Sequence, residues 1–280
     1  MDKKEVLAAQ RGCETCPAHH AANLKRLGVD MSDWDYVVAL AGNPNTGKST
    51  VFNALTGLRQ HTGNWPGKTV TRAEGGFEYD GERYKLVDLP GTYSLLATSL
   101  DEKIARDFIL FGRPDATIIV VDGTRLERNL NLVLQVLEIT DRVVVCVNLM
   151  DEVRRYGWDL EQRLLGRELG VPVVPTAART REGLDRLVEV TADVASGRIN
   201  GRYRRREISN PDLEAAVQNL VRKLEQLFPD LPNKRWVAMR LLAGDESIEA
   251  AVLDGSLGDL QQGGEEAGSQ IETKEGQVSR

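Results

Sequence analysis

No run of apolar residues in this sequence approaches the ~20 needed to span a bilayer as a helix; the longest, 116–121 and 143–147, have the length of β-strands. The first ten residues are charged and hold no apolar core, so no secretory leader is expected. Cysteine is scarce: Cys13, Cys16 and Cys146 are too few for a disulfide framework and agree with a reducing compartment. Basic charge is not in excess either. Against 42 Asp and Glu stand 36 Lys and Arg, a formal net charge of −6, which argues against a nucleic-acid binder. Arg202, Arg204, Arg205 and Arg206 do bunch together; they read as a solvated linker, with anionic lipid headgroups the alternative partner. These absences lead us to expect a soluble intracellular protein. Its 280 residues, 41% hydrophobic and 28% charged, suffice for one medium domain and an appendage.

Composition divides the chain into a polar arm (1–33), a region of alternating strand-length and helical patterns (34–198), a linker (199–208), a helix-only region (209–258) and a Gly, Glu, Gln and Ser tail expected to be disordered (259–280). Alternation in the second region predicts an α/β domain with a mostly parallel sheet. Its strands are expected at 36–41, 74–79, 83–88, 117–121, 143–148 and 171–175. The pair flanking Asp80-Gly81 should form an antiparallel hairpin at one edge. Helical patterns at 100–111, 130–139, 160–169 and 184–195, with one opening at Ser49, complete six strands and about five helices. In the fourth region Asn210-Pro211 is a strong helix start.

Gly42-Asn43-Pro44-Asn45-Thr46-Gly47-Lys48-Ser49-Thr50 lies between a buried strand and a helix start. The glycines let the backbone wrap an anion, and successive N–H groups with the helix N-terminus favour phosphate. Lys48 should reach the β- and γ-phosphates, and the Ser49 hydroxyl should ligate Mg²⁺. Asp88-Leu89-Pro90-Gly91 ends a strand about forty residues later; there Asp88 can hold Mg²⁺ through a water, and the Gly91 N–H can sense the γ-phosphate. Asn148-Leu149-Met150-Asp151 follows the strand 143–147. The Asp151 carboxylate can accept from guanine N1–H and its exocyclic amine. Adenine offers neither donor there, and such a site can reject it by ~10⁴. Thr176, Ala177 and Ala178 should close over the base. GTP is therefore expected rather than ATP.

In order and spacing these motifs resemble those of the translation-factor-like small GTPases over about 35–196. Leu149 stands where that pattern has a lysine, which predicts weaker binding and faster exchange. Further on, Gly63-Asn64-Trp65-Pro66-Gly67-Lys68-Thr69 and Asp88-Leu89-Pro90-Gly91-Thr92-Tyr93 are similar to the ferrous iron transport protein B (FeoB) family, and 209–256 resembles that family's helical domain.

The resemblance implies a GTP-hydrolysing cytosolic module at the inner face of a bacterial cell membrane, coupled to a pore in cis or in trans. Small accessory Feo proteins and homo-oligomers are implied partners; nucleic acid is not. Thr69 would be the switch residue on Mg²⁺. No glutamine follows Gly91, since Thr92 stands there. The implied substitute is K⁺, held by Asn45 and the backbone of Gly63 and Trp65, acting with Lys48, Thr69 and Gly91 in catalysis. Trp65 has another reading, an anchor that packs the loop onto the domain. The rival function is an RNA- or ribosome-associated GTPase in assembly or tRNA modification, disfavoured by the acidic charge. Cys13, Cys16, His19 and His20 offer up to four ligands for Zn²⁺ or Fe²⁺, but no distant second pair accompanies them, and a polar arm with plain thiols is the alternative.

Overall fold

A computed structural model describes residues 24–25, 27–57, 60–96, 99–204, 208–229 and 231–253. The Cys13, Cys16 and His19 cluster, Arg205, Arg206 and the expected tail lie outside them.

The apolar runs become β1 (Tyr36–Gly42), β5 (Ala116–Asp122), β6 (Val143–Asn148) and β7 (Val173–Pro175), with β2 (Gln60–Asn64), β3 (Thr71–Tyr79) and β4 (Glu82–Asp88) completing the sheet. The order is β2-β3-β4-β1-β5-β6-β7. Strands β4, β1, β5, β6 and β7 run parallel, while β3 pairs antiparallel with β4 and β2 antiparallel with β3. The expected hairpin is therefore present, turning at Asp80 and Gly81. One strand exceeds the expected six. All five residues of β2 (Gln-His-Thr-Gly-Asn) are exposed, so no apolar alternation marks it, and its ladder to β3 defines it.

Helices are α1 (Lys48–Thr56), α2 (Leu100–Asp107), α3 (Leu126–Ile139), α4 (Met150–Arg155), α5 (Gln162–Leu169), α6 (Leu184–Ala195), α7 (Pro211–Leu227), α8 (Lys234–Leu242) and α9 (Glu246–Leu253). Because helices cover both faces, the central strands are apolar on both sides. On one face Val38, Leu40, Ile118 and Val144 pack with Val51, Phe52 and Leu187. The opposite face brings Val37, Ala39 and Val145 against Phe108, Leu132 and Val136. Each Leu, Val or Phe so buried contributes about 1.5–3 kcal/mol relative to exposure.

The single helix expected over 100–111 is in fact α2, opened by a Ser99–Glu102 capping box, followed by a buried π-helical turn, Phe108–Gly112. Such turns often sit at functional places, and all five residues of this one are buried. Asn210 caps α7 through the Asp212 and Leu213 N–H groups. Val217, Leu224, Trp236, Val237 and Ile248 belong to the same apolar cluster as Phe108 and Val136. Two polar ties reinforce the join. The Asn233 amide donates to the Glu138 and Ile139 carbonyls at 2.8 and 3.1 Å, and buried Arg106 donates to the Ser247 hydroxyl at 2.7 Å. Among the described residues, no helix is long and apolar enough to cross a membrane.

Candidate nucleotide-binding site

At the carboxyl end of β1 the chain must turn without side chains in two places. A Cβ on Gly42 would lie 2.6 Å from the Val120 carbonyl oxygen, and one on Gly47, at φ +80°, only 2.4 Å from Asn148 Nδ2. Between them Thr46 Oγ1 donates to the Asn43 carbonyl at 2.9 Å, closing the loop on itself. Asn45 forms its exposed tip at φ +66°, a left-handed position that Asn tolerates better than most residues. Helix α1 begins at Lys48 with no side-chain cap. Its first N–H groups are thus left for an anion, and Ser49 and Thr50 are exposed in that first turn. Asn43 is buried, yet neither polar atom of its side chain has a hydrogen-bond partner.

Lys48 bridges to the end of β4. Its ammonium pairs with Asp88 Oδ1 and donates to the Leu89 carbonyl at 2.8 Å. Burial pushes the Asp88 carboxyl above the usual carboxylate range, opposed by the charge and hydrogen bond of Lys48. The segment after Asp88 stays against the phosphate loop: the Thr92 N–H donates to the Gly42 carbonyl at 3.2 Å, and a Cβ on Gly91 would meet Pro44 at 3.6 Å. Thr92 is no substitute for a catalytic glutamine, since its hydroxyl donates to the Ser94 carbonyl within its own turn at 2.6 Å. Gln135 on α3 then accepts from the Leu95 N–H at 2.6 Å and fixes where this segment goes.

On the other side of the loop, Asn148 is almost fully buried at the end of β6. It donates to the Thr46 carbonyl at 3.0 Å and accepts from the Ala178 N–H at 3.0 Å and the Thr176 hydroxyl at 3.3 Å. Leu149 adopts φ +64° as the residue before α4, and Asp151 follows in the first turn, where Arg179 donates to its Oδ2 at 3.2 Å. Cys146 is wholly buried beneath this loop beside Thr176, its thiol pushed up to about 12 by desolvation.

Register places the switch ribbon. Asp88 on β4 pairs with Ala73 on β3, which pairs with Thr62 on β2. Residues beyond Thr62 therefore leave the sheet at the same end as the phosphate loop. At ~4.8 Å per strand, however, β2 lies roughly 14 Å to the side of β1. Gly63 stands in that outer strand and Thr69 is exposed in the turn to β3. Trp65 is buried, with Phe108 edge-on at 5.6 Å and the Arg72 guanidinium 5.5 Å from its ring. The loop is thus anchored on the π-helical turn. In this conformation Lys48 with Asp88, Thr92 with Gly42, and Asn148 with Thr46, Thr176 and Ala178 join the loops after β1, β4, β6 and β7, and Asp151 follows Asn148 by one helical turn, while Gly63, Trp65 and Thr69 stay on the outer ribbon. Reading the sequence missed the Asn148–Thr46 strut and the Arg179–Asp151 pair. Only the arginine directly after Ala177-Ala178 could have signalled the second.

A mostly parallel sheet with a Gly-x-x-x-x-Gly-Lys-Ser loop after β1 and an Asn-x-x-Asp after β6 is built as a P-loop G domain. A family profile described as ferrous iron transport protein B matches residues 36–191, and one described as the FeoB cytosolic helical domain matches 210–279. This chain belongs to the ferrous iron transport protein B family. The Fe(2+) transporter FeoB of Methanocaldococcus jannaschii is 42% identical over 219 residues, which are 78% of this chain and 32% of that protein. Its Escherichia coli counterpart is 40% identical over 218 residues, 74% of this chain and 27% of that protein. The chain therefore spans about a third or less of these relatives. The cytosolic domain of the T. maritima FeoB iron transporter in its GMPPNP form superposes with a TM-score of 0.69 at 38% identity, covering 80% of this chain and 86% of that one.

Proposed function

We propose that this chain is the GTP-binding and GTP-hydrolysing cytosolic module of a ferrous iron transporter, whose nucleotide state is passed to a membrane pore through the helical unit. The observation that carries this reading is the double tie of the phosphate loop, through Lys48 to Asp88 on one side and through Thr46 to Asn148 on the other. It supports reading these residues as one frame for phosphate, metal and base. The cytosolic domain of the T. maritima FeoB iron transporter has a GDP form and a GMPPNP form, in keeping with guanine nucleotide as the ligand here.

The donor set suits Mg²⁺: hard oxygens from exposed Ser49 and strand-end Asp88, with Thr69 joining once the ribbon moves inward. Such an ion would neutralise charge on the β- and γ-phosphates. Lys48 would exchange Asp88 for phosphate oxygens, and Gly91 would follow the γ-phosphate. Asn45, at the loop tip, would hold K⁺ together with the carbonyls of Gly63 and Trp65, filling the role of an arginine finger. That arrangement requires β2 to leave β3, and the polar, exposed make-up of β2 favours such release. Pairing with a pore in cis or in trans, with accessory Feo proteins and with further copies of the chain belongs to the same reading.

The test is steady-state GTP hydrolysis with Mg²⁺ in matched KCl and NaCl, for the wild type and Asn45→Ala. Potassium stimulation that falls by ~10²–10³ in the variant, the usual cost of losing one transition-state stabiliser, supports the proposal. Equal rates in both salts rule out the potassium step; absence of turnover in either rules out hydrolysis by the isolated chain.

A further inference from the structure

Among the described residues, Arg179 is the cation within ion-pair distance of the carboxylate proposed to read the base. Its guanidinium donates to Asp151 Oδ2 at 3.2 Å, with the Arg179 side chain 82% exposed and that of Asp151 25% exposed. Placement of Arg179 is not accidental, because the loop beneath it is pinned at several points. Ala178 N–H donates to Asn148 Oδ1 at 3.0 Å, Thr176 N–H to the Val147 carbonyl at 2.7 Å, and Thr180 Oγ1 to the Ala177 carbonyl at 3.1 Å. Neighbouring Arg154 is engaged elsewhere, giving two hydrogen bonds to Glu182 at 2.9 and 2.6 Å. At position 149, where the related G-domain pattern carries a lysine, the side chain is apolar.

Guanine presents two donors, N1–H and the exocyclic amine, and Asp151 needs both of its oxygens to receive them. In this conformation Oδ2 already accepts from Arg179. We propose that Arg179 is a built-in competitor for the base: it pairs with Asp151 Oδ2 in the absence of guanine, yields that oxygen as guanine binds, and speeds release of guanine nucleotide by returning. The inference rests on Asp151 reading guanine, as proposed above. Only a side-chain rotation is needed, because the backbone of Ala178 stays tied to Asn148. An exposed ion pair is weak and screened by salt. The effect expected is therefore modest, about two- to fivefold in release rate at low ionic strength, and smaller as salt rises.

The experiment is stopped-flow release of fluorescently labelled GDP from the wild type, Arg179→Ala and Arg179→Lys, at about 0.05 M and about 0.5 M salt. Beside these, Asp151→Asn and the Asp151→Asn/Arg179→Ala double variant are followed with labelled XDP, whose C2 carbonyl suits an amide donor. Arg179→Ala should release GDP about two- to fivefold more slowly than the wild type at low salt. The gap should close at high salt, Arg179→Lys should stay fast, and in the Asp151→Asn background removing Arg179 should change nothing. Faster or unchanged GDP release by Arg179→Ala overturns the inference, as does the same slowing with Asp151 already replaced. If Asp151→Asn binds GDP as tightly as the wild type, the base-reading role itself fails and the competitor role with it. Loss of GDP affinity in Asp151→Asn with no effect of Arg179→Ala removes the competitor role alone.

Discussion

Asn148 gives its amide hydrogen to the Thr46 carbonyl at 3.0 Å and takes the Ala178 N–H at 3.0 Å, so one side chain ties the loop after β1 to the loop after β7. Asn148→Ala leaves both backbone groups buried without a partner. The empty protein should lose about 1–3 kcal/mol, measured by urea unfolding without nucleotide. Asp151→Ala, at a partly exposed position paired with exposed Arg179, should leave that stability within about 0.5 kcal/mol and change binding alone. Equal losses in the two variants would contradict the strut.

Lys48 and Asp88 share a partly buried pair at the phosphate end of the sheet. With Lys48 on the phosphates as proposed, Lys48→Ala removes a charged hydrogen-bond donor from them, for which a loss of about 1.5–3 kcal/mol is usual. Affinity for Mg-GTP should fall by roughly tenfold to a hundredfold, read by titration calorimetry. Asp88→Asn should weaken Mg-dependent binding while sparing binding measured without the ion.

Trp65 on Phe108 holds the switch ribbon to the domain. Trp65→Ala should cost about 3–5 kcal/mol if the cavity stays open, and less if the exposed ribbon detaches. The second outcome is expected. Amide exchange should then rise sharply over β2 (Gln60–Asn64) while the buried β1 keeps its protection. Unchanged exchange in β2 would show that the ladder to β3, and not Trp65, holds it.

Glu214 on α7 receives both nitrogens of Arg235 on α8, each at 2.8 Å. Led by these hydrogen bonds, its pKa falls from 4.5 to about 2. A carboxyl lowered on folding binds its proton better in the unfolded chain, so its contribution is complete above about 4.5 and fades as pH drops toward about 2. Amide exchange in α7 and α8 should increase through that window, and Glu214→Gln should flatten the increase. The pair is a third exposed on each side, so the change should be small and diminish in high salt.

The sequence made legible whatever is encoded by local pattern. Buried parallel strands appear as apolar runs, the β3–β4 turn as Asp80-Gly81, the start of α7 as Asn210-Pro211, and the phosphate loop as a fixed spacing between strand and helix. Three features escaped for physical reasons. Strand β2 has no buried face, so it carries no alternation. The π-helical turn at Phe108–Gly112 has the same apolar spacing as a continued helix and differs only in its hydrogen bonds. Arg179 meets Asp151 across 28 residues, a contact fixed by the β6 and β7 loops and not by either residue's neighbours.

The most direct test of the account is phosphate release from GTP, ATP and XTP by the wild type and by Asp151→Asn. If Asp151 reads the base of a hydrolysed nucleotide, the wild type turns over GTP and rejects ATP by ~10⁴, and Asp151→Asn transfers turnover to XTP. Comparable hydrolysis of ATP and GTP by the wild type, or undiminished GTP turnover in Asp151→Asn, would contradict it.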